Sequence, residues 1–168
     1  MGQREDRFLR VLAEVDLPGR WAALVASGLP GPPADDRGGI DLYRMELLLD
    51  ELGVPFKPKE YDDEDYWPMS RVERFADHGL ILRISSPDGS EAWTRRLDFA
   101  VEIILYDGER RTHTHGGPVP RLVVELGGAE PQRYFWFQER AEARRAAEWL
   151  IELARDVAAR TTQLDWSV

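Results

Sequence analysis

Cysteine does not occur in this chain, so a disulfide framework, a thiolate metal site and a cysteine nucleophile are all excluded. Asparagine is also missing and lysine occurs only as Lys57 and Lys59, a usage that reads as the GC-rich coding bias of a bacterial gene. No apolar run approaches the roughly 20 residues of a membrane span. The first residues, Met1 to Asp6, carry charge where a signal peptide needs an apolar core, and Asp6 stands where a myristoylation motif needs Ser or Thr. A cytoplasmic location is therefore expected. None of the serines lies in a Gly-x-Ser-x-Gly elbow. The double glycines at Gly38-Gly39, Gly116-Gly117 and Gly127-Gly128 lack the spacing of a dinucleotide-binding or Walker loop, and read as turns.

What the chain does have is acid. It carries 31 acidic against 22 basic residues, a net charge of −9, and a surface of that sign repels phosphate backbones and anionic lipid headgroups. Nucleic acid and membrane are thus disfavoured as partners. A length of 168 residues fits one domain spanning 1–168. Within it the pattern divides into a helical half over 4–79, a sheet with a long helix over 80–160, and a tail over 161–168.

In the first half, Phe8, Val11, Leu12 and Val15 fall at i, i+3, i+4, i+7 and predict a helix ending near Asp16. Pro18 opens a second helix carrying Trp21, Leu24 and Val25, and the Pro/Gly run over 29–39 predicts a loop. Asp41 is the expected N-cap of a third, with Met45, Leu48, Leu49 and Leu52 on its apolar face and Gly53 as its stop. Ser70 and Glu73 have capping-box spacing, which predicts a short helix ending at Gly79 with Val72, Phe75 and Ala76 inward.

The second half changes period. Leu80, Leu82 and Ile84 alternate with other residues, Pro87-Asp88-Gly89 predicts a turn, and 91–97 predicts a returning strand. The strongest strand is 99–106, separated from the previous one only by Asp98, so that the two read as one bent strand. Two more strands are expected at 121–126 and 133–138, the first with Leu122, Val124 and Leu126 on one face. Ala143, Ala146, Ala147, Leu150, Ile151, Ala154, Val157 and Ala158 form the wide stripe of a helix over 139–160. The fold class is therefore α+β: N-terminal helices, an antiparallel meander of about five strands, and a long C-terminal helix packed on the sheet. A meander closed by such a helix resembles the pleckstrin-homology-like arrangement, a likeness of topology that implies no ligand.

Two segments could carry function. Residues 60–67 interleave five carboxylates with tyrosine and tryptophan; Asp62, Asp63, Glu64, Asp65, Tyr66 and Trp67 suit an arginine-rich protein surface, since carboxylates accept bidentate bonds and rings accept guanidinium stacking. Solvated acidic loops are common, and Tyr61, Tyr66 and Trp67 could equally anchor this one to the core. The spacing fails the pattern of a calcium loop. The second segment, 107–117, reads as a long loop. There His113 and His115, two apart, would point the same way on an extended backbone and could share a metal with Asp107 or Glu109. A catalytic zinc wants a third protein ligand, and the chain has only His78 as a further histidine. Two readings follow. The first is a non-enzymatic, cofactor-free interaction domain of the adaptor, inhibitor or immunity-protein kind, engaging a basic partner through 62–67. The alternative is a small metal-dependent hydrolase built on His113, His115 and Asp107.

Overall fold

The computed structural model of the chain describes residues 2–27, 40–58, 69–85, 97–129 and 135–166. Helix α1 (Gln3–Glu14) buries Phe8, Val11 and Leu12, the stripe its 3.6-residue period dictates. It ends where Asp16 enters the left-handed region at φ 54°, and the Asp16 carboxylate then accepts from the Gly19 amide to cap α2 (Leu17–Ala26). Helix α3 (Leu42–Glu51) is capped by Asp41, which accepts from Arg44 N–H at 2.8 Å, and buries Leu42, Met45, Leu48 and Leu49.

The sheet is an antiparallel meander of four full strands and a two-residue edge strand, in the spatial order β1-β2-β3-β4-β5. These are β1 (Lys57–Pro58), β2 (Met69–Arg74), β3 (His78–Ser85), β4 (Asp98–Asp107) and β5 (Arg110–Pro118). One face of the meander carries Leu80, Leu82, Ile84, Phe99, Val101, Ile103 and Leu105, all buried in one apolar cluster with side chains of α1, α2 and α3. Helix α4 (Val119–Glu125) follows β5. Helix α5 (Arg140–Thr161), opened by a reciprocal capping box between Glu139 and Glu142, lays its stripe from Ala143 to Ala158 into the same core. The class is α+β, as the change of period implies. The meander is followed by the long C-terminal helix, with α4 between them.

Three segments depart from their sequence patterns. Residues 69–74 form a strand rather than a helix: Met69 to Arg74 pair rung by rung with Ile84 to Gly79, and Val72, expected inward, is 51% exposed. The Ser70–Glu73 spacing fits a capping box by coincidence, because both residues lie within one paired strand. Residues 119–125 form a helix rather than part of a strand. The deciding spacing is Val119, Leu122, Val123 and Leu126, at i, i+3, i+4, i+7, which leaves Val124 outward at 47% exposed. Pro120 in the first turn suits a helix start, and Gly127 at φ 81° ends it. The segment 107–117 is not a loop: the chain turns in two residues, Gly108 and Glu109, and returns as β5. A φ of +60° at Gly108, with none positive at Glu109, matches the hairpin turn that places glycine first.

Of the strand expected over 133–138, the described part makes a single bridge, Phe135 to Leu97, with both N–H···O bonds at 3.0 Å. Phe135 and Phe137 point inward, Phe135 lying 5.1 Å from the Trp21 ring and 5.0 Å from Phe99. The turn over 87–89 and the return over 91–96 lie outside the described residues.

Candidate functional site

Asp62, Asp63, Glu64, Asp65, Tyr66 and Trp67 lie outside the described residues. The residues that flank them are placed: Pro58 of β1 and Met69 of β2 are cross-strand partners.

Among the described residues, acid and aromatic ring also stand together on α3. Tyr43, Glu46, Leu47 and Asp50 are spaced i, i+3, i+4, i+7 and share the helix face opposite the buried one. Tyr43 is 59% exposed and Leu47 45%. Burial raises the Glu46 carboxyl above its ordinary value of 4.5, and the Asp50 charge one turn on adds to the rise. The result is an exposed ring and an exposed leucine that alternate with two carboxylates along one helix face. Sequence reading missed it because Tyr43 and Leu47 are ordinary in a helix; only the burial of the other face shows which side they occupy.

The strand β5 brings His113 and His115 together. A bulge at Thr112, whose hydroxyl bonds the Leu105 carbonyl at 3.1 Å, shifts the register. Arg111 consequently faces Tyr106, while His113 and His115 stand opposite Leu105 and Ile103 on the face toward α1. Their rings stack at 6.1 Å between centroids and 9° between planes. The guanidinium of Arg4 lies 3.5 Å from His113 Nδ1. Asp107 is exposed at the turn opposite Arg110, and no group of three or more His, Asp or Glu gathers for a metal among the described residues. A cation placed between the two rings would also meet the charge of Arg4.

His115 Nε2 is buried without a hydrogen-bond partner. Desolvation lowers the His115 pKa from its ordinary 6.5; the Glu5 carboxylate opposes this, and the His113 and Arg4 charges reinforce it. The unfolded chain then binds more protons than the folded one around that value. Stability from this group is complete above pH 6.5 and is lost as pH falls through the lower folded value. Denaturant titrations between about pH 7.5 and about pH 5.5 are expected to show a shallower fall for His115→Gln than for the parent protein. Parallel curves would mean that the ring is not desolvated.

Comparison with protein-family models, with curated proteins and with solved structures finds no match to this chain.

Proposed function

We propose that this chain is a non-catalytic protein-interaction domain of the adaptor, inhibitor or immunity-protein kind, which engages a partner through a basic surface. The observation that supports it best is the outward face of α3, where the exposed Tyr43 and Leu47 alternate with Glu46 and Asp50. Exposed rings beside carboxylates suit a partner that offers arginine, whose guanidinium can stack and pair at once. Asp62, Asp63, Glu64, Asp65, Tyr66 and Trp67 add the same chemistry in the connection between β1 and β2. The net charge of −9 would steer a basic partner at long range. No observation of comparable weight favours the metal-hydrolase reading.

The test takes a protein retained by the full chain from source-cell extract and measures its association kinetics. Raising salt about tenfold, or replacing Asp62, Asp63, Glu64 and Asp65 with Ser, is expected to lower the association rate by about tenfold or more. Tyr43→Ala with Leu47→Ala is expected to speed dissociation by about tenfold, with the melting temperature unchanged because both side chains are solvent-facing. An association rate indifferent to salt and to the four acids would reject the proposal.

A further inference from the structure

A groove of about 400 Å³ opens where β2 and β3 meet the C-terminal half of α5. Its lining is largely apolar: Leu80 and Leu82 from β3, Ile151, Ala154 and Ala158 from α5, with Val54 and Phe75. The groove exists because of what the sequence puts on two elements. On α5, Ile151, Ala154, Arg155, Ala158, Ala159 and Thr162 fall on one helix face, and alanine at three of these positions leaves volume that larger side chains would fill. On β2, Met69 is buried, but the next positions on the same face are Arg71, opposite Leu82, and Glu73, opposite Leu80. Charged residues thus stand where the apolar period of a core strand would continue.

The arginines here are unlike others in the chain. Arg20, Arg83, Arg140, Arg144 and Arg160 each hold a carboxylate. Arg71 and Arg155 line the groove, and among the described residues neither makes an ion pair or a hydrogen bond. Glu73 is the one acid among the described lining residues, so that among them two guanidinium groups stand with one carboxylate. Among the described lining residues the excess is positive, on a chain whose overall charge is −9. An apolar floor with a cationic rim selects for a ligand that is apolar along its length and anionic at one end. The volume falls within the roughly 300–1,000 Å³ of small-molecule sites.

We propose that the groove binds an amphipathic carboxylate, a medium-chain fatty acid or a molecule of that shape. Its chain would lie on the Leu80, Leu82, Ala154 and Ala158 floor and its head group against Arg71 and Arg155. A carboxylate offers two oxygens to the forked donors of a guanidinium, a charge-assisted bond that an alcohol or an ammonium head cannot reproduce. The site shares no residue with the α3 face or with 62–67, and it stands or falls independently of the protein-binding reading.

The test is an NMR titration of the full-length, isotope-labelled chain with decanoate. Chemical-shift changes are expected at Phe75, Leu80, Leu82, Ala154 and Ala158. Decyltrimethylammonium, with the same tail and the opposite charge, is expected to bind at least about tenfold more weakly. The double variant Arg71→Gln with Arg155→Gln is expected to weaken decanoate binding by about tenfold or more. Ala158→Leu, which fills the floor, is expected to abolish binding; if it also lowers the melting temperature, the double arginine variant carries the test alone. The proposal is overturned if decanoate shifts no resonance of the groove, if both head groups bind equally, or if the double variant binds as tightly as the parent. It is likewise overturned if only an acidic amphipathic peptide occupies the groove.

Discussion

Trp166→Ala is expected to lower the free energy of unfolding by about 3–5 kcal/mol, the cost of deleting a large ring from a packed interior. The size is unexpected for a residue in a tail, and follows from what the ring touches. Trp166 is 2% exposed and its Nε1–H donates to the Thr161 carbonyl at 2.9 Å, folding the tail back onto the end of α5. Its ring lies 5.7 Å from that of His78 at the start of β3, and His78 stacks in turn on Phe75 at 4.7 Å. The Arg7 guanidinium of α1 sits 5.9 Å over the indole and donates to the Asp165 carbonyl. One side chain therefore joins three elements far apart in the chain. Urea denaturation of Trp166→Ala and of a chain truncated after Gln163 is expected to give similar losses. Trp166→Phe, which keeps most of the apolar area and forfeits the bond to Thr161, is expected to lose about 1 kcal/mol. A loss below about 1 kcal/mol for the truncated chain would mean that the tail is not part of the core.

The tail illustrates which parts of the fold are legible in a sequence. Residues 164–168 alternate as a strand would, yet the ring on which Trp166 packs, His78, is distant in the chain. Helix α3 was readable because cap and apolar period agree, Asp41 before Met45, and α1 and α5 were readable from their apolar periods alone. The strands β3 and β4 were readable because their core face alternates. β5 was not, since Arg110 to Gly117 contains no apolar side chain; its pairing is written in the backbone of β4. The signal that was available there is Asp107-Gly108, a hairpin turn directly after the strongest strand. In 119–126, eight residues allow both a two-residue and a 3.6-residue reading, and only burial of Val123 instead of Val124 decides between them.

The candidate sites divide in the same way. That His113 and His115 share a side follows from their spacing, and the structure places them so; the distance of Asp107 from them depends on the bulge at Thr112, which no local pattern announces. The groove could not be read at all. It is formed by Arg71, Leu82 and Arg155, which only the pairing of β2 with β3 and the docking of α5 bring together.

Asp98→Asn is expected to stabilise the protein at about pH 8 by about 1–3 kcal/mol, a gain that shrinks as the solution is acidified. Asp98 opens β4 opposite Ser85, with Oδ1 buried and without a hydrogen-bond partner. Desolvation pushes its carboxyl up from 3.8 to about 6, and the Phe99 backbone N–H, which favours the charged form, offsets only part of this. The nearest described cation on that face of the sheet is already engaged: Arg83 Nη2 holds Glu102 at 2.9 Å, and Arg83 Nε has no partner. The direction follows from linkage. Below pH 3.8 the carboxyl is protonated in both states and carries no penalty; as pH rises the unfolded chain ionises first, and the penalty grows until it is complete above about 6. An amide is neutral throughout, so the advantage of Asn should be greater at about pH 8 than at about pH 5 in paired urea titrations. If Asp98→Asn destabilises equally at both, the ionised carboxylate is held by a partner and the position is a paired charge rather than a stranded one.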